Sequence, residues 1–339
     1  MICPVPGSET AKGWPDRRFK AECSAEECGT NGGSMTVRNR FFVFFAYLRR
    51  FVMFVTRLVS GIVLVAVALA TILLGGPVLL ATILFITLVG MHEFYGAMRI
   101  VKPNRAQKKV EGKEYEAKDK YIKEAPESSF TLLAAVGFCG AVGYDLALYF
   151  CPENIWLMEV VAVFLLILVV YVFTFPTYGA EDVIAAFFGF FYLAVNLGFV
   201  YTTRMLPTGK ILVWLIFLSS WGADTCAYCV GRLLGKHKMA PVLSPKKSVE
   251  GAIGGFVGAA LLGLLYATIL KQPQIPYTII CAAGALISMV GDLAASAVKR
   301  DKGIKDYGFL IPGHGGILDR FDSMIFTAPV IYYLGLLLL

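Results

Sequence analysis

Asp292, Ser296 and Lys299 are spaced i, i+4, i+7, so a helix through them presents a carboxylate, a hydroxyl and an ammonium on one face. A hard divalent cation takes the oxygens and a phosphate takes the ammonium. The alternative is a buried Asp–Lys pair that only sets the helix. The stretch that follows, KRDKGIKDYGFLIPGHGGILDRFD over 299–322, favours the chemical reading. Lys299, Arg300, Lys302 and Lys305 are positive charges suited to phosphates. Gly313, Gly315 and Gly316 flank His314 and let backbone approach a ligand closely. Asp319, Arg320 and Asp322 then open the last apolar stretch, and Asp319 is the second carboxylate that could share a metal with Asp292. Two carboxylates, several cations and a glycine loop make a metal–polyphosphate site.

A matching half lies upstream. Asp224, Tyr228 and Arg232 fall roughly on one helix face and lead into GRLLGKHKMAPVLSPKKSVEGAIGG, where Lys236, His237, Lys238, Lys246 and Lys247 cluster. The turn SPKKS resembles a phosphate loop in composition only, because the G-x-x-x-x-G-K-[ST] spacing is missing. Glu250 is placed to cap the next helix. Gly251, Gly254, Gly255 and Gly258 give two G-x-x-x-G spacings, which read as helix packing, and Cys226-x-x-Cys229 reads as packing too, with no second pair to make a metal or redox site. Three further acids fall inside apolar stretches. Asp145 and Glu159 sit near the weakly charged side, where solvation explains them; Glu93 is a helix-end interfacial charge or, as the second reading, a site residue.

These residues must be positioned by membrane helices. Of 339 residues, 57% are hydrophobic and 16% charged, and mean hydropathy is +0.68; an average soluble domain is about 45–50% apolar and about 25% charged. One globular core cannot hide that much apolar surface. Nine stretches have the length to cross a bilayer: 58–75, 77–95, 130–150, 155–175, 181–202, 210–230, 251–270, 276–297 and 321–339, with Gly75-Gly76-Pro77 as a tight turn between the first two. Alternating these spans puts 28 of the 31 Lys and Arg on one side and only Arg204, Lys210 and Lys271 on the other. The positive-inside rule then sets the N-terminus in the cytoplasm. The net charge of +7 reads as topology and attraction to anionic lipid, not nucleic-acid binding. The fold class expected is all-α, a polytopic integral membrane protein of about nine transmembrane helices. Residues 1–40 form a polar extension that looks disordered, 41–57 an interfacial helix around Arg49 and Arg50, and 58–339 the transmembrane catalytic domain, its site drawn mainly from 224–322. The loop 101–129, rich in Lys and Glu, reads as a solvated surface helix. The first 30 residues hold no apolar run, so no cleavable signal peptide is expected, and no disulfide is expected of Cys3, Cys23 and Cys28 in a reducing compartment.

Residues 296–322 resemble the signature of the phosphatidate cytidylyltransferase (CDP-diacylglycerol synthase) family: Ser296, Lys299-Arg300, Lys305-Asp306, Pro312-x-His314-Gly315-Gly316 and Asp319-Arg320-x-Asp322. The run from Asp224 through SPKKS and Glu250-Gly251 is also similar, with Ser248 where Thr is common. The likeness extends more weakly to Arg57-x-x-Ser60-Gly61 and Glu93-Phe94-Tyr95. The resemblance implies the reaction of CTP with phosphatidate to give CDP-diacylglycerol and pyrophosphate, an all-helical membrane fold and a homodimer. It implies Mg²⁺ on Asp292 and Asp319, with room for a second cation, and places Ser296 and Lys299 beside them in the catalytic centre. Binding of substrate is then expected of Asp224, Tyr228, Lys236, Lys246, Lys247, Arg300, Lys305, His314, Gly315, Gly316 and Arg320. The partners are CTP, phosphatidate and the bilayer. A bacterial inner membrane is expected over an endoplasmic reticulum. The alternatives are a CTP-dependent lipid kinase and an ion path through Asp224 and Asp292; the scarcity of polar residues in the outer halves of the spans argues against the ion path.

Overall fold

The computed structural model describes residues 55–56, 59–98, 100, 131–151, 155–311 and 315–339. The polar extension 1–40, nearly all of the interfacial helix 41–57, the loop 101–129 and the Pro312–His314 segment lie outside the described residues. Every expected span is a helix. They are α1 (Val59–Leu74), α2 (Gly76–Ala97), α3 (Leu132–Phe150), α4 (Ile155–Thr174), α5 (Ala180–Met205), α6 (Gly209–Leu234), α7 (Val249–Ile269), α8 (Gln274–Asp301) and α9 (Leu318–Leu338). Among the described residues, α2 to α9 are eight helices long and apolar enough to cross a membrane; α1 is shorter, at about 24 Å by the helical rise. The protein is an all-α, multi-pass membrane protein. Between α6 and α7 a small antiparallel hairpin interrupts the helices: β1 (Lys238–Ala240) pairs with β2 (Ser244–Ser248), Lys238 opposite Ser248 and Ala240 opposite Ser244.

The first turn forms as its residues dictate. Gly75 and Gly76 have φ of 64° and 49°, and Pro77 opens α2. Arg204 closes the corner, its Nε donating to the Ile72 carbonyl at 3.1 Å. Two helices depart from simple periodicity. α5 contains a π-turn at Phe191–Val195 and α6 one at Leu218–Gly222. In α6 the Ser220 hydroxyl donates back to the Ile216 carbonyl at 2.7 Å, a bond that bends helices, and the wider turn re-aims Asp224 just beyond it.

Lipid offers no hydrophobic drive between helices, so close packing and small residues hold the bundle. The glycine stripe of α7 does this against α6. A methyl group on Gly254 would meet Val230, on Gly258 the Cys226 side chain, and on Gly255 the Ala223 carbonyl. The packing reading of both the glycines and Cys226 therefore holds. Asp145 differs from expectation: it is 1% exposed, and neither carboxylate oxygen has a hydrogen-bond partner among the described residues. It lies on the buried face of α3, with Ala141 and Leu148 one turn to either side.

Candidate functional site

One end of the bundle gathers the chemistry. The C-terminal half of α6, the β1–β2 hairpin, the end of α8 and the start of α9 meet there. Lys247 of β2 pairs with Asp292 of α8. Asp224 of α6 lies within electrostatic range of Asp292, Lys247 and Arg320, and Asp322 of α9 within range of Asp292, Lys299 and Asp224. Three carboxylates from three helices thus converge with two cations from the hairpin and α9. Trp221 ties α6 to this end, its Nε1 donating to the Arg320 carbonyl at 3.3 Å.

Behind this cluster lies a second charged pair. Lys299 Nζ donates to Asp319 Oδ1 at 2.8 Å, linking α8 to α9. Asp319 Oδ2 accepts the backbone N–H of Tyr307 at 2.9 Å and of Gly316 at 3.0 Å. Gly315 adopts φ 90°, which a side chain resists, and so lets the chain turn onto that carboxylate. Tyr307 lies under the ammonium of Lys299, 5.3 Å from the ring centroid, and donates its hydroxyl to the Ala295 carbonyl at 3.1 Å. Burial, then the charges of Asp322 and Asp319, push this phenol well above its ordinary value, so it stays a neutral donor. Asp319 thus holds Tyr307 and Gly316 of the segment between α8 and α9.

The expected face of Asp292, Ser296 and Lys299 exists: Ser296 and Lys299 are buried, and Asp292 is half-buried. The structure joins Asp292 to Lys247 and Lys299 to Asp319, which in turn accepts from Gly316. Asp224 and Arg320 belong to the same cluster. Tyr228 does not join it. It is 65% exposed and accepts a 3.1 Å bond from Arg232, so the i, i+4 spacing is as read but the face points outward. Lys236, Lys246, Arg300 and Lys305 are exposed, with Arg300 donating to the Ile304 carbonyl at 3.0 Å just beyond α8. His314 lies outside the described residues.

Sequence reasoning named Asp322 without giving it a site role, and left out Tyr307 and the full role of Glu93. Glu93 is buried, and its carboxylate accepts the backbone N–H of Ile317 at 3.0 Å and of Leu318 at 2.8 Å. Glu250 does more than the helix-start role expected of it, where its carboxylate accepts its own N–H in the first turn of α7. Ser248 caps α7 by accepting from Gly251 at 3.1 Å, while Glu250 reaches back to the N–H of Lys236 and His237 and to the His237 ring at 2.6 Å. Glu250→Gln is therefore expected to speed amide exchange over 236–248 by on the order of tenfold, the scale of one charge-assisted hydrogen bond, without changing exchange in α7 beyond its first turn. Hydrogen exchange read by mass spectrometry checks this; unchanged exchange removes Glu250 as the hairpin's anchor.

A multi-pass helical bundle with a cluster of acidic and basic side chains gathered at one end defines the class of membrane protein to which this chain belongs. A family model described as the cytidylyltransferase family matches residues 55–338, and the chain belongs to that family. Similar proteins include the phosphatidate cytidylyltransferases of Synechocystis sp. (47% identical over 135 residues, 39% of this chain and 46% of that one) and Staphylococcus saprophyticus (41% over 140 residues, 40% and 54%). A phosphatidate cytidylyltransferase of Bacillus subtilis is 36% identical over 197 residues, 55% of this chain and 71% of that one. In the first two matches the chain spans about half the length of its relative.

Proposed function

We propose that this protein transfers the cytidylyl group of CTP to phosphatidate at the cytoplasmic face of a bacterial inner membrane. The observation that carries the reading is the convergence of Asp224, Asp292 and Asp322 with Lys247 and Arg320 at the end of the bundle. The relatives' names supply the substrate, and the 28-to-3 charge asymmetry supplies the side, where CTP is available.

The chemistry asks little of acid–base groups. A phosphatidate oxygen, already ionised near neutral pH, attacks the α-phosphorus of CTP. A new P–O bond forms as the bond to the β-phosphate oxygen breaks, and pyrophosphate leaves with its electron pair. Catalysis is then positioning plus stabilisation of charge. Lys247 and Arg320 are placed to hold phosphate oxygens, while the Lys299–Asp319 pair fixes the α8–α9 junction. The exposed Lys236, Lys246, Arg300 and Lys305 draw polyanions and anionic headgroups to that end.

The donor set fits magnesium. Among the described residues no three His, Cys, Asp or Glu side chains come together tightly enough to cage an ion alone. Magnesium keeps several waters and is held by one or two carboxylates plus substrate phosphates. Asp292 and Asp319 are the proposed holders; Asp319 would have to release Lys299 from its Oδ1 to take part, since its Oδ2 is held by the Tyr307 and Gly316 N–H groups, and Asp224 and Asp322 add negative charge. Magnesium, when bound, neutralises developing charge on the polyphosphate. The homodimer implied by the family likeness is part of the proposal and is checked by the mass of the particle in nanodiscs.

CTP labelled separately at the α- and γ-phosphates tests the reaction. Label from the α position is expected in lipid and label from the γ position in pyrophosphate. Transfer of γ label to lipid would mean a lipid kinase, and no transfer with ion flux in liposomes would mean a transporter. Chelation by EDTA is expected to stop turnover, with Mg²⁺ restoring it.

A further inference from the structure

We propose that Glu93 is a positioning residue that fixes the start of α9, and with it Asp319, Arg320 and Asp322, against the rest of the site. The kinetic arm of its test rests on the cytidylyl-transfer reading; the structural arm does not.

The start of α9 has no cap of its own. Ile317 occupies the N-cap position and offers no side-chain acceptor. The first backbone N–H groups of a helix need acceptors, and the positive end of its dipole favours a carboxylate. Glu93 supplies both from α2, 224 residues earlier, one oxygen to Ile317 and the other to Leu318. Glu93 thus does from a distant helix what an N-cap side chain does locally. Asp319 holds the same segment from the other side through Tyr307 and Gly316, so four backbone N–H groups of the connection and the helix start are fixed by two carboxylates.

The seat is fitted to this carboxylate. A methyl group on Gly308 or Gly316 would run into the Glu93 carboxylate, so the chain passes it at backbone distance. Glu93 itself cannot drift. Phe94 packs among Phe188, Tyr192 and Tyr307 with ring centroids 5.7, 6.0 and 6.4 Å away, and the Tyr95 hydroxyl donates to the Ala186 carbonyl at 2.7 Å. α2 and α5 therefore form a rigid post, and Glu93 is the bolt between that post and the charged end of α9. Nothing in the proposed chemistry needs Glu93 to touch a substrate.

The test uses the full chain in nanodiscs. Glu93→Gln keeps the size of the side chain but replaces one acceptor oxygen with a donor that opposes an N–H. Tryptic cleavage at Arg300, Lys302 and Lys305 is expected to rise at least about tenfold, and kcat to fall roughly 30- to 100-fold per folded molecule, the scale of an ångström of misplacement, with KM for CTP within about threefold. A merely structural role would lower the yield of folded protein and leave kcat per folded molecule unchanged. Gly308→Ala keeps Glu93 and pushes the loop off it, so it should reproduce both effects, and in a Glu93→Ala background it should add little. Wild-type cleavage and turnover in Glu93→Gln, or effects of Gly308→Ala and Glu93→Ala that simply multiply, overturn the proposal. If Glu93→Gln cannot be isolated folded, the Gly308→Ala arm and its cycle decide. If the native chain transfers no cytidylyl group, the function reading fails and cleavage alone judges the bolt.

Discussion

Asn in place of Asp292 is expected to cut turnover by roughly a thousandfold, the upper range for loss of one preorganised electrostatic group, while the bundle stays folded. The two halves of that expectation have separate causes. Asp292 and Lys247 are each about a quarter exposed, with side-chain exposures of 26% and 27%. When the carboxylate becomes an amide, Lys247 can turn to water, so the stability cost is small, about 1 kcal/mol or less. The chemical cost is large, because Asp292 lies within electrostatic range of both other acids of the cluster and is one of the two proposed holders of magnesium. Turnover under saturating CTP and a magnesium titration check it. The magnesium needed for half-maximal rate should rise at least about tenfold, as it does when a site loses part of its ligand support, with the melting temperature within a few degrees of the native protein. Turnover within tenfold of native at ordinary magnesium would remove Asp292 from the proposed metal site.

The spans were legible because about 20 consecutive apolar residues have few other uses, and Gly75-Gly76-Pro77 announces its turn by residue type. Much of the site was legible too, since carboxylates and cations are rare beside apolar stretches. What spacing could not supply was direction and partnership. Asp224 and Tyr228 fall one turn apart on one helix, yet Asp224 lies within range of Asp292, Lys247 and Arg320 while Tyr228, a turn nearer the end of α6, is 65% exposed. Asp145 looked like a solvated charge near a helix end, and only the packing of its neighbours buries it. Glu93 looked interfacial, because its two partners are backbone groups 224 and 225 residues away, and backbone leaves no mark in side-chain patterns. The same holds for Asp319. Its charge is visible in the sequence, but its bonds to Tyr307 and Gly316 are set by the path of a loop.

Met in place of Lys299 is expected to destabilise the bundle by about 3–5 kcal/mol, the usual cost of stranding one buried charge. The pair is dry, with side-chain exposures of 10% for Lys299 and 3% for Asp319. Without the ammonium, Asp319 retains two N–H donors but no counter-charge, and Asp322 loses its nearby cation as well. The single variant should therefore melt several degrees lower and open the 303–316 connection. Adding Asp319→Asn to Lys299→Met removes the stranded charge while keeping one acceptor oxygen for the loop N–H groups. Stability should recover in part, by on the order of 1–3 kcal/mol of coupling in a double-mutant cycle. Activity should not recover, because the double variant lacks both the α8–α9 ion pair and a proposed metal holder. Thermal melts and turnover measured on the same four proteins separate the two roles. If the double variant regained turnover along with stability, the pair would be scaffolding alone and the proposed metal would have to be held by Asp292 with Asp224 or Asp322 instead.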